Sequence, residues 1–122
     1  MKTVEYLAEK LKEKEKELRE KEEKVKERIK KIMELSPRWE IRVPVNENIY
    51  YKVYKNGYVE YCEEYINEYD AEDILITEAT ISLLSEIKDF ERKLIDAIIN
   101  EYEKEIKLIE DLINKIEENW GV

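Results

Sequence analysis

The stretch that decides the fold is Ile99 to Trp120, INEYEKEIKLIEDLINKIEENW. Its large apolar residues are separated by alternating steps of three and four residues, with charged residues between them. This heptad spacing predicts a helix with one continuous apolar stripe, as in a helix that packs lengthwise on another helix. We call the following seven residues the C-terminal stripe: Ile99, Tyr102, Ile106, Ile109, Ile113, Ile116 and Trp120.

A differently phased apolar seam precedes this stripe: Leu83, Ile87, Phe90, Leu94 and Ala97. The two seams together predict a long C-terminal helix over residues 71–120 that has two packing roles. Its first half covers the rest of the chain, and the C-terminal stripe meets another chain. The start of the helix stays open between Asp70 and Thr77, because Ile74-Leu75-Ile76 also fits a short final strand.

The C-terminal stripe predicts self-association, with a homodimer as the expected state. Full burial of its five isoleucines at roughly 1.5–3 kcal/mol each amounts to on the order of 10 kcal/mol. Left in water, the stripe would form a long exposed apolar patch. The orientation of the two chains, parallel or antiparallel, stays open at this point.

A charged helix is predicted over residues 1–35, because the residue before Pro37 is driven out of helical geometry. Thr3 is the expected N-cap. One heptad position is apolar throughout: Val4, Leu11, Leu18, Val25 and Ile32. The second heptad position of the stripe is apolar only at its two ends, Leu7 and Leu35. Between them it holds Lys14, Lys21 and Arg28, so the apolar stripe of this helix is narrow.

Residues 38–69 change from helical to alternating periodicity and predict a tyrosine-rich β element, a β-hairpin or three-stranded meander. Trp39 to Val45 alternates apolar and polar residues, and Lys55-Asn56-Gly57 is a hairpin turn signal. A three-residue loop with a left-handed Gly57 pairs Tyr51 with Tyr61 and Val53 with Val59, a register that matches apolar with apolar. We expect this Ile/Val-containing face to be the inner one. Residues 60–69 also fit a helical turn.

Seven of the nine tyrosines lie between residues 50 and 69. Tyrosine gives a large contact area at low entropic cost, and it is enriched at interfaces. The pattern therefore predicts a partner-binding surface on the β element, formed by Tyr50, Tyr54, Tyr58, Tyr65 and Tyr69.

Composition excludes most catalytic chemistry. The chain has no His, one Cys and two Gly, so we expect no enzyme activity, no metal site and no cofactor. No apolar run is long enough to cross a membrane, and the single cysteine fits a reducing, cytoplasmic setting. The abundance of Glu, Lys and Ile with no His or Gln is typical of a thermophile protein.

The net charge of −9 disfavours direct nucleic-acid binding. The densest acidic stretch, residues 60–73, contains seven carboxylates: Glu60, Glu63, Glu64, Glu68, Asp70, Glu72 and Asp73. A small acidic protein could imitate a phosphate backbone. One alternative function is therefore an acidic, virus-encoded inhibitor or mimic that acts on a nucleic-acid-binding machine.

The whole sequence thus predicts a single domain over residues 1–122, mainly α with a small antiparallel β element, elongated and coiled-coil-like. The order helix, β element, longer helix resembles the β-type subunit of prefoldin, with Val4, Tyr6, Leu7 and Trp120 as apolar residues at the helix ends. That resemblance implies a holdase chaperone as another alternative. The function that the sequence itself favours is a non-enzymatic coiled-coil oligomerisation module whose tyrosine-rich β element binds a protein partner.

Overall fold

The computed structural model describes residues 3–122, so Met1 and Lys2 of the predicted first helix lie outside the described residues. The elements follow in the order α1 (Val4–Met33), β1 (Glu40–Pro44), β2 (Ile49–Tyr54), β3 (Val59–Ile66), β4 (Glu72–Glu78), α2 (Ile81–Ser85) and α3 (Phe90–Trp120). The predicted order of a helix, strands and a longer helix is confirmed.

The strands form one antiparallel sheet in the order β1-β2-β3-β4, a meander with one strand more than predicted. The three-residue hairpin loop is confirmed, since Val53 pairs with Val59 and Tyr51 pairs with Tyr61. Gly57 has a φ of 86° in the predicted left-handed conformation. The helical turn considered for residues 60–69 is wrong, because β3 continues to Ile66.

The core lies between the Ile/Val face of the sheet and the adjoining parts of α1 and α3. Ile41, Val43 and Val53 point inward from the sheet, as predicted. They meet Ile29 and Met33 at the end of α1, and Phe90, Leu94 and Ile98 at the start of α3. Each helix therefore contributes only one end to the core.

The prediction of one long helix over residues 71–120 is wrong before Phe90, where only the five residues of α2 are helical. The alternative of a short final strand at Ile74-Leu75-Ile76 is confirmed, because these residues lie in β4. Asn67 accepts hydrogen bonds from the backbone N–H groups of Tyr69 and Ala71 through its side chain, and Asp70 adopts a φ of 57°. This turn reverses the chain, and the run after it, which is rich in β-branched residues, pairs with β3. Thr80 then caps the short α2, and a left-handed Asp89 with a φ of 59° separates α2 from α3.

Candidate interaction surfaces

The C-terminal stripe lies on the part of α3 that extends beyond the sheet. Its seven side chains are between 40% and 79% exposed. In contrast, Phe90, Leu94 and Ile98 are buried on the preceding turns of the same helix. The two packing roles predicted for this helix thus correspond to two segments. One is buried in the core, and the other is apolar and open to solvent.

Polar contacts fix the direction of α3 relative to α1. Arg28 pairs with Glu91 at 2.7 Å, and further along both segments Arg38 pairs with Glu105 at 2.8 Å. Between these pairs, the Tyr102 hydroxyl donates a hydrogen bond to the carbonyl of Leu35 at 2.6 Å. Because the partners advance in the same direction along both segments, α3 continues away from α1 and does not fold back along it.

Two helical arms therefore project from opposite sides of the sheet. We define the α1 arm as residues 4–21 and the α3 arm as residues 106–120, and every residue in both is exposed. At 1.5 Å per residue they are roughly 27 Å and 22 Å long. Leu11 and Leu18 lie exposed on the α1 arm. The predicted apolar residues at the helix ends, Val4 and Trp120, are likewise exposed, but they lie at opposite ends of the molecule.

The predicted tyrosine surface is not a single contiguous patch. Tyr50, Tyr54 and Tyr58 belong to the outer face of the sheet, away from the helices, and the rings of Tyr54 and Tyr58 lie 5.7 Å apart. Tyr65 is 44% exposed on the opposite face. Tyr69 is exposed in the turn between β3 and β4.

Tyr50 is only 8% exposed in this chain, unlike Tyr58, Tyr65 and Tyr69 of the predicted surface. Its ring is buried between strands and lies 4.9 Å below the guanidinium carbon of Arg42. Its hydroxyl is buried and finds no hydrogen-bond partner within residues 3–122. Burial raises the pKa of Tyr50, so its hydroxyl stays protonated to a higher pH than that of an ordinary tyrosine.

Hydrogen bonding and burial favour the neutral forms of two further side chains on the outer face, Tyr54 and Cys62. The Tyr54 hydroxyl donates to the carboxylate of Glu60, and this bond raises the pKa of Tyr54 above its ordinary value. Cys62 lies beside them, fully buried, and burial raises the pKa of its thiol. A buried thiol with a raised pKa is a poor nucleophile.

The structure shows a further surface that the sequence pattern did not predict. β4 is the outermost strand beside β3, and all seven of its residues are exposed. We call Ile74, Leu75 and Ile76 the β4 edge; each is between 46% and 50% exposed. The signal in the sequence is the apolar run itself, which fits either a short final strand or the start of the long helix.

The β4 edge stands in acidic surroundings. From Asn56 to Ile87 the chain contains nine carboxylates and neither Lys nor Arg. A depression of about 870 Å³, where β3 and β4 extend past β2, is lined by Glu63, Glu64, Glu72 and Asp73. No Lys or Arg lines this depression, although Glu64 also borders a second depression that contains Arg42, Lys93 and Lys104. Glu63, Glu72 and Asp73 therefore favour a negative potential at this end of the sheet.

Across residues 3–122, the carboxylates and the single cysteine form no group of three or more that could hold a metal ion. No helix in the same range has an apolar stretch long enough to cross a membrane.

Comparisons with known proteins found no matching family model, no matching curated protein and no matching solved structure.

Proposed function

We propose that this chain is a non-enzymatic interaction module. In this proposal it self-associates as a coiled coil through the C-terminal stripe and binds a protein partner through its β element. The observation that carries the proposal is the exposure of the whole stripe in a single chain, while the preceding turns of the same helix are buried. Contiguous exposed apolar patches of this kind are typical of interaction sites.

The arrangement of charges along α3 supports a helical partner. The three lysines of the exposed segment, Lys104, Lys107 and Lys115, occupy heptad positions away from the stripe. The charged residues of α3 that border it closely are all glutamates, of which Glu105 already pairs with Arg38: Glu103, Glu105, Glu110 and Glu117. Apolar seam positions with charged borders are the pattern of a two-helix interface.

We expect Ile109→Asp to abolish self-association at micromolar concentration. Ile109 is 58% exposed near the middle of the stripe, and a carboxylate at the interface would be desolvated without a partner. The dissociation constant should rise by about a hundredfold or more. Sedimentation equilibrium measures this directly.

Asn114→Asp is the matched control, because it adds the same charge to the polar side of the same helix. It should associate like the wild-type chain. A wild-type chain that sediments as a monomer at micromolar concentration would contradict the proposal, as would equal losses in the two variants.

An acidic inhibitor or mimic is a second candidate, and the absence of cations from Asn56 to Ile87 favours it. Binding to a basic nucleic-acid-handling protein that weakens steeply with salt would support this function over a structural module. The surface responsible would be the carboxylate-lined end of the sheet.

A holdase like the β-type subunit of prefoldin is a third candidate, favoured by the exposed Val4, Leu7 and Trp120. In this chain the two helix ends would hold substrate at opposite ends of the molecule and not between neighbouring tips. Suppression of aggregation of an unrelated unfolded protein would distinguish this function from a structural module.

A further inference from the structure

The β4 edge has an open set of backbone hydrogen-bonding groups. β4 forms its backbone hydrogen bonds with β3 at odd-numbered residues. The N–H of Asn67 donates to the carbonyl of Ala71, and the N–H of Ala79 donates to the carbonyl of Val59. The alternation of an antiparallel ladder then directs the backbone groups of Ile74 and Ile76 away from β3. Among residues 3–122, the Ile74 N–H donates only to the carboxylate of its neighbour Asp73, at 2.8 Å.

The two outer strands of the sheet are not equally protected. β1 contains Pro44, which has no N–H to offer, and its inner face is covered by the start of α3. β4 contains no proline, and its three central residues are apolar. An exposed strand of this kind is a template for pairing with another extended segment.

The charge of the hairpin formed by β3 and β4 determines which kind of extended segment can pair with β4. The hairpin of β3 and β4 carries eight carboxylates and no cation between Val59 and Glu78. Pairing β4 with β4 of a second copy would bring two such hairpins together, with like charges opposed. A segment that carries Lys or Arg would instead place its cations beside Glu72, Asp73 and Glu78 at the two ends of the apolar run.

We propose that the β4 edge binds an extended basic peptide segment, with apolar residues at its centre and lysine or arginine at its two ends, and adds it to the sheet as a fifth strand. The backbone of Ile74 and Ile76 supplies the ladder, and the side chains of the apolar run contact the apolar residues of the segment. This inference specifies the partner that the proposed function assigns to the β element. It does not depend on self-association.

The test uses two terminally blocked octapeptides, each with four central Val residues: the Lys-Val peptide has two Lys at each end, and the Glu-Val peptide has two Glu at each end. Each is titrated into the isotope-labelled full chain while amide chemical shifts and amide hydrogen exchange are followed. We expect the Lys-Val peptide to bind, to slow exchange at Ile76 and to shift Ile74. The Glu-Val peptide should leave these amides unchanged.

Ile76→Pro removes an outward N–H without removing a bond to β3, so the sheet should be retained. We expect this variant to bind the Lys-Val peptide about tenfold more weakly or worse, because it blocks the ladder. Ile76→Val keeps both the N–H and an apolar side chain, so it is the matched control and should bind like the wild type.

Equal binding of the two peptides would overturn the inference. So would salt-dependent binding of the Lys-Val peptide with no protection at Ile76, since the site would then be a charged patch and not a strand edge. Amide hydrogen exchange of the wild-type chain distinguishes these outcomes even if Ile76→Pro fails to fold. The Ile109→Asp variant should still bind the Lys-Val peptide. Its binding would show that strand addition does not need self-association, so a failure of one proposal can be told from a failure of the other.

Discussion

Gly57 shows how one residue connects the hairpin to the first helix. Its left-handed φ was predicted from the loop length, but its second role was not. A Cβ at this position would lie 2.9 Å from Cγ of Lys30 and 3.3 Å from the carbonyl oxygen of Lys26. The β2–β3 loop thus lies directly against α1, and this contact requires a residue with no side chain.

We therefore expect Gly57→Ala to lower the free energy of unfolding by about 2–4 kcal/mol. The left-handed conformation accounts for about 1–2 kcal/mol, and crowding against α1 adds to it. Gly121→Ala is the control, because Gly121 is also left-handed, with a φ of 66°, but has open space around it. Urea denaturation of the two variants measures the difference, and equal losses would show that the contact with α1 contributes nothing.

At the scale of elements, the sheet shows what the sequence could and could not predict. The β2–β3 register was predictable because Tyr51, Val53, Val59 and Tyr61 lie on one buried face, and a slip of one residue would expose them. β4 was not predictable in the same way. A strand exposed on both faces has no alternation, and its preceding turn uses a left-handed Asp70 where glycine would have been a clearer signal.

The outer face of the sheet leads to a prediction about alkaline stability. Burial raises the pKa values of Tyr50 and Cys62, and the bond to Glu60 raises that of Tyr54. Above the ordinary values of 9.0 for cysteine and 10.0 for tyrosine, the unfolded chain loses protons that the folded chain keeps. Stability is therefore fully present below these values and falls as the pH rises through them.

Urea denaturation between pH 7 and pH 11, at one protein concentration, should show this decline in the free energy of unfolding. Each such group contributes a slope of up to about 1.4 kcal/mol per pH unit. Tyr54→Phe keeps the ring but removes one titrating hydroxyl, so its slope should be shallower than that of the wild type. A stability that stays constant to pH 11 would contradict the prediction.

At the scale of the whole molecule, the sequence predicted two long amphipathic helices but not their relative direction. Heptad patterns report which face of a helix is apolar, and they do not report where its neighbour lies. The direction is set by contacts distant in sequence, such as Arg28 with Glu91 and Tyr102 with Leu35. These contacts leave the two arms on opposite sides of the sheet. The C-terminal stripe is therefore not covered by α1 of its own chain.

In the function proposed above, the partner of the stripe is a second copy of α3, because the narrow stripe of the α1 arm offers few apolar residues. In such a pair the charged borders are glutamates on both helices, so like charges face each other across the apolar seam. Salt screens repulsion between exposed charges over distances of about 10 Å at 0.1 M ionic strength. We therefore expect the dissociation constant of the dimer to fall as sodium chloride is raised from 0.02 M to 0.5 M. Sedimentation equilibrium across this range measures the trend. An affinity that weakens with salt would show instead that the glutamates of the stripe meet cations, and that the lysines of a neighbouring α1 arm cover it.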